Sequence, residues 1–214
     1  MTGLARFGVL LALCASLVLA DPHLEYSKYF KGSVPEFVLI TVSQDGQVTY
    51  QEDKQDDNPI RVQLSAADTS QLFDLAAKLD HFQHPIESGL KVANMGEKTF
   101  RFVDDAQKHE VEFNYSQDLN AQALLNRFER IATSERNLIN LDRTVHYDKL
   151  GVNDAILQIE IAWDHNELVA PEQFLTLLDR VIKNESYLHM ARERAAELAD
   201  TIRKGPAPSA KAQQ

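Results

Sequence analysis

Cysteine is all but missing from this chain. The single one, Cys14, lies in an apolar run close to the start. Residues 1–20 have the form of an export signal. Arg6 supplies a thin positive start, residues 7–19 are apolar, and Val18-Leu19-Ala20 closes the run as a signal peptidase site does. Thirteen apolar residues fall short of the roughly twenty that cross a bilayer. Leu13 is bulkier than the residue that normally precedes a lipidated cysteine. Cleavage after Ala20 is therefore expected. It leaves an extracytoplasmic chain, periplasmic or secreted, with no membrane span and no disulfide, held together by its core alone.

Glycine and basic residues are scarce too. The eight glycines are scattered, and no G-x-x-x-x-G-K-[ST] loop, G-x-G-x-x-G turn or G-x-S-x-G elbow is present. No nucleotide cradle or serine-nucleophile elbow is thus indicated, and no cofactor. Beyond residue 20 there are 21 Lys and Arg against 32 Asp and Glu, a net charge of −11. Such a surface repels nucleic acid and anionic lipid, so neither is expected as a partner.

What is present is patterned hydrophobicity. In residues 37–51, Val38, Ile40 and Val42 alternate on one arm, Val48 and Tyr50 on the other, and Asp45-Gly46 stands between. This predicts a hairpin with both turn residues at positive φ. Phe37 and Leu39 make the first arm apolar on its second face as well, as an inner strand requires. Residues 21–35 read as an irregular lead-in broken by Gly32, Ser33 and Pro35. Residues 60–64 alternate as a short third strand. Ser65 and Asp68 form a variant capping box before a helix bearing Leu72, Leu75, Ala76 and Leu79. After a loop over residues 85–96, Phe100 and Phe102 pair with Val111, Phe113 and Tyr115 in a second hairpin wet on one face. A second helix starts near Asp118 and carries Ala121, Leu124, Leu125, Phe128, Ile131 and Ala132. The fold class expected is α+β: a four- to five-stranded antiparallel sheet over residues 24–136 with two helices on one face.

From Leu138 the sequence reads as helical throughout, a separate appendage over residues 138–204. Leu138, Val145, Val152 and Ile159 recur every seven residues. Asp148 interrupts that seam, Gly151 weakens it, and Asn153 offers a fresh N-cap. Leu157, Ile159 and Ile161 alternate enough to allow a strand, although length and the Ile156–Ile159–Trp163 spacing favour helix. Pro171 opens a further helix, the chain turns near Asn184, and a last helix carries Leu188, Ala191, Ala195, Leu198 and Ile202. Residues 205–214 are a Gly/Pro/Ala/Ser/Gln tail of disordered composition.

Few residues suggest chemistry. Asp80, His81 and His84 sit at a helix end, where capping explains them, and a zinc site would need further ligands from residues such as His109. Asp56-Asp57 and Asp104-Asp105 fall where turns want acids. Trp163, Tyr147 and Tyr187 lie on helices, where aromatics mostly serve a core. Asn114-Tyr115-Ser116 and Asn184-Glu185-Ser186 match the glycosylation triplet. The run Arg192, Glu193, Arg194, Glu197 reads as a solvated helix face. No catalytic, cofactor-binding or metal-binding residue is assigned.

Residues 30–52, FKGSVPEFVLITVSQDGQVTYQE, resemble a family of small exported bacterial domains of unknown function. Their first hairpin runs roughly C-x-G-x-C-P-x-[YF]-x-[LV]-x-I-x-x-[DN]-G-x-V-x-Y. Gly32, Pro35, Phe37, Leu39, Asp45, Gly46, Val48 and Tyr50 match, while Phe30 and Val34 stand at the two cysteine places. A disulfide or thiol role is thereby out of reach here. Residues 148–160 look like the appendages of other secreted bacterial proteins, D-[RK]-L-G-V-x-x-A-[IL]-x-x-[IL]-E. The resemblance implies export and a hairpin–helix–hairpin–helix fold, and says nothing about chemistry.

Two functions remain at this level. One is a non-catalytic exported protein that binds another protein or an envelope component through the helices of residues 138–204. The other is a hydrolase whose carboxylates and histidine meet in a cleft.

Overall fold

A computed structural model describes residues 21–104 and 107–205. The expected signal (residues 1–20), Asp105 and all but the first residue of the expected tail lie outside it. Six strands form one antiparallel sheet: β1 (His23–Tyr29), β2 (Phe37–Ser43), β3 (Gln47–Gln51), β4 (Ile60–Gln63), β5 (Glu97–Val103) and β6 (Lys108–Phe113), in spatial order β4-β3-β2-β1-β5-β6. The strand count exceeds expectation because residues 23–29 are no lead-in. β1 lies at the sheet centre, with Tyr26 opposite Ile40 on β2 and Phe100 on β5. Its inward series is Leu24, Tyr26 and Lys28, and the lysine hides the alternation.

The β2–β3 hairpin forms as expected, with a different turn. Only Gly46 takes a positive φ, +85°, and its N–H donates to the Ser43 carbonyl (2.9 Å). That is a three-residue loop ending in one left-handed residue. The Gly46 carbonyl then accepts from Leu64 N–H (2.9 Å), seating the turn against the start of α1 (Ala66–Lys78). Ser65 caps that helix by accepting from Asp68 N–H (3.1 Å) while its hydroxyl donates to the Asp68 carboxylate (2.7 Å).

One sheet face is buried and one is open. Leu24, Tyr26, Ile40, Val42, Val48, Tyr50 and Phe100 pack with Leu72 and Ala76 of α1 and with Ala121, Leu124, Phe128 and Ile131 of α2 (Leu119–Tyr147). On the other face, Arg101 bridges Glu25 and Glu110 across three strands.

α2 decides the architecture. Asp118 caps it by accepting from the Asn120 and Ala121 N–H groups (2.7 and 3.1 Å). The helix then runs 29 residues, straight through the break expected at residues 136–138. The core divides although the helix does not. Beyond Ala132, α2 turns Leu141 and Val145 into a second core shared with α3 (Val152–Asp164), α4 (Leu175–Lys183) and α5 (His189–Lys204). Asp148 ends α2, and Gly151 rather than Asn153 occupies the N-cap of α3. Residues 157–161 are helical. Of the described residues after α2, only Val169 joins the core beneath the sheet. Among the described residues, no helix is long and apolar enough to cross a membrane.

Candidate functional site: a groove between the two cores

Since one helix serves two cores, a groove opens along the side of α2 where they part. It encloses about 640 Å³. Thr133, Arg136, Asn137, Asn140 and Arg143 form its floor at successive helical turns. The sheet core contributes Glu52 and the turn at Val34-Pro35, whose peptide bond is cis. The helical core contributes Gln158 and Ile161 of α3, with Glu167 beyond it. Val34 (87 % exposed) and Ile161 (42 % exposed) stand on opposite walls, apolar and open to solvent.

The loop carrying Val34 is braced internally. The Gly32 N–H donates to the Glu36 carboxylate (2.8 Å), and the Ser33 hydroxyl is within 2.7 Å of both the Phe30 and Pro35 carbonyls. Behind it a smaller cleft of about 100 Å³ shares Val34, Pro35 and Arg136 with the groove. There the Glu129 carboxylate accepts from the Tyr26 hydroxyl (2.9 Å) and from Lys28 (3.0 Å). Lys28 faces Lys98 across β1 and β5. Lys98 is buried and donates to the Gly96 and Asn114 carbonyls (3.2 and 2.8 Å). Burial, then the Lys28 charge, holds its ammonium below the ordinary lysine range. The Tyr50 hydroxyl donates to Glu52 (2.8 Å), and burial lifts both Tyr50 and Tyr26 far above the phenol range. Both phenols are therefore neutral donors that fix carboxylates in place.

A third cavity, about 410 Å³, lies on the other flank of α2. Ile60, Leu138, Leu177 and Tyr147 line it, and it shares Ile139 and Arg143 with the groove. On the same helix, Ser134 and Glu135 are wholly buried. The Ser134 hydroxyl accepts from Val169 N–H (2.8 Å) and donates to the Arg130 carbonyl (3.0 Å). Glu135 accepts from the Gln173 amide (3.1 Å) with one oxygen, and the other has no partner. Burial pushes its carboxyl up to about 7.

The residues weighed from sequence lie elsewhere. His84 pairs with Asp80 (3.2 Å) on the surface, and His81 packs its ring on Phe102, centroids 4.4 Å apart. His109 buries its Nδ1 without a partner. Among the described residues, no three His, Asp or Glu side chains converge to hold a metal. Asp56 and Asp104 accept from the backbone of their own turns. Asn114 binds residues 93 and 95 through its side chain, and Asn184 accepts from Ser186 N–H. Tyr187 is buried with its hydroxyl on the Val145 carbonyl (2.8 Å), and Trp163 packs on the second core. Tyr147 alone of the three aromatics is open, at 87 %. Arg194 is bonded to Glu160 and Asn153.

The groove is thus a hydrogen-bonding surface with apolar rims. Histidine–carboxylate pairs occur at 23–25, 80–84, 142–146 and 189–193, each within one local element. Among the described residues, no histidine lines any of these three cavities. Sequence patterning missed the groove because its floor is the polar side of α2, which looks like any solvated helix face.

No protein-family model matches the chain, and no curated protein is significantly similar to it.

Proposed function

We propose that this is an exported, non-catalytic protein that binds an extended segment of another protein in the groove between its cores. The observation that carries this reading is that both cores and the shared helix wall one groove. Asn137 and Gln158 each offer a carboxamide there, an acceptor beside two donors, which matches the N–H and C=O of an extended backbone, and Asn140, whose carbonyl accepts from Arg143 (2.9 Å), adds its NH2 donors. Arg136 and Arg143 add charge to grip carboxylates, and exposed Val34 and Ile161 supply apolar contact at the rims. Export rests on the form of residues 1–20 and on the likeness of the first hairpin to small exported domains. The late helices contribute one wall rather than the whole interface.

Site-specific photocrosslinking tests this. A photoreactive residue at Val34 or Ile161 should capture the same partner. The same residue at Thr49, on the open face of the sheet, should not. Arg136→Glu should weaken capture at both groove positions. Equal capture from Thr49, or indifference to Arg136→Glu, would contradict the assignment.

A further inference from the structure

Glu135 occupies a position that packing alone does not account for. Its place on α2, four residues after Ile131 and three before Leu138, belongs to the apolar stripe, and it is fully buried. Among the described residues its one hydrogen-bond partner is Gln173, in the short turn before α4, and its second oxygen has none. A buried carboxylate needs a cation or several donors, and one neutral amide is too little.

The charged and titratable groups around it do not supply that cation. Tyr50, on the strand side, has given its hydroxyl to Glu52. Arg136, the next residue on α2, is exposed and lines the groove. Arg130 donates to the Leu168 carbonyl (3.2 Å) and leaves its buried Nε–H without a partner among the described residues, and the charges that act on it are those of Arg127, Asp68 and Glu167 rather than Glu135. Beyond Gln173, Asp142 and Arg143 line the third cavity, and Glu172 is the adjacent acid on the turn.

The segment over residues 166–174 joins the two cores. Leu168 belongs to the second core and Val169 to the first. Side-chain links tie it to α2 at Ser134, Arg130 and Glu135. Asn166 (φ +56°) and Ala170 (φ +44°) are non-glycine residues held in the left-handed region. That backbone carries strain, which docking must hold in place.

We infer that Glu135 is a proton-operated latch: protonated, it lets residues 166–174 seat on α2, and ionised, it draws in water and loosens that segment. The carboxyl held near 7 puts the change at neutral pH. Glu167 rides on the segment and lines the groove, so the latch regulates the site proposed above. Only that consequence rests on the groove being a binding site.

Hydrogen exchange of the full chain, followed at pH 5 and pH 7 and corrected for the intrinsic rate, tests it. Amides of residues 167–170 and 172–175 should lose protection by about tenfold or more between the two. Glu135→Gln should abolish that difference. If that variant does not fold, the infrared band of the protonated carboxyl in the native protein should fade over the same interval. Equal protection at both pH values, the same pH dependence in Glu135→Gln, or a carboxyl already ionised at pH 5 would overturn the latch. Loss of groove crosslinking with the exchange pattern intact would sink the binding reading instead.

Discussion

At the scale of single residues, buried charge is the feature with the largest consequences. Glu135 holds its proton up to about 7 in the folded chain, whereas an unfolded glutamate loses it near pH 4.3. Between those values the folded state binds the extra proton, so stability falls as pH rises, by at most about 1.4 kcal/mol per unit. Glu135→Gln should therefore raise the melting temperature at pH 8 and leave it almost unchanged at pH 4, by calorimetry at both. An equal shift at both values would count against a buried neutral acid. Gly46 is the other sensitive position. A Cβ there would meet Gln63 at 2.6 Å, Thr69 at 2.8 Å and the Leu64 carbonyl at 3.2 Å, at a φ of +85°. Gly46→Ala should cost about 1–3 kcal/mol by denaturant titration, because the left-handed backbone and the Thr69 contact both oppose it.

Among the elements, α2 couples the two cores. Phe128 fills the core beneath the sheet and Leu141 the helical core, along one uninterrupted helix. Trp163, the only tryptophan, packs on the helical core and reports on it by fluorescence. Phe128→Ala should destabilise by about 3–5 kcal/mol, and the Trp163 transition should move with the circular dichroism although the mutation lies in the other core. A Trp163 transition that stayed in place would show the cores to be independent. Much of this level was legible in the sequence. The two hairpins, the Ser65 cap and the start of α2 near Asp118 follow from alternation, turn residues and capping residues, whereas the cap offered by Asn153 falls to Gly151 and Pro171 opens a short turn ahead of α4. β1 was not legible, because its third inward residue is Lys28, whose partner Glu129 lies on α2, 101 residues further along the chain. The continuity of α2 was hidden for the same reason. Ser134 and Glu135 are polar residues in an apolar stripe, and a change of partner core looks like a break in the helix. Each is a buried polar group whose partner comes from distant chain, which local periodicity does not register.

For the whole molecule, the groove exists because two cores diverge from a stiff shared helix, and its use depends on that geometry staying fixed. Arg136→Glu should leave stability within about 0.5 kcal/mol of the native chain while reducing partner capture, since Arg136 is exposed. Calorimetry beside crosslinking checks both halves. The relative placement of the cores can be measured directly, because Cys14 is the only cysteine and a Cys14→Ser chain accepts spin labels wherever cysteine is introduced. One label at exposed Gln47 on β3 and one at exposed Glu193 on α5 span the two cores. Double electron–electron resonance between them should give a single narrow distance distribution, as a continuous α2 requires. A broad or two-peaked distribution would mean that the helix bends between Ala132 and Leu141, and the groove would then have no fixed shape in which to hold a partner.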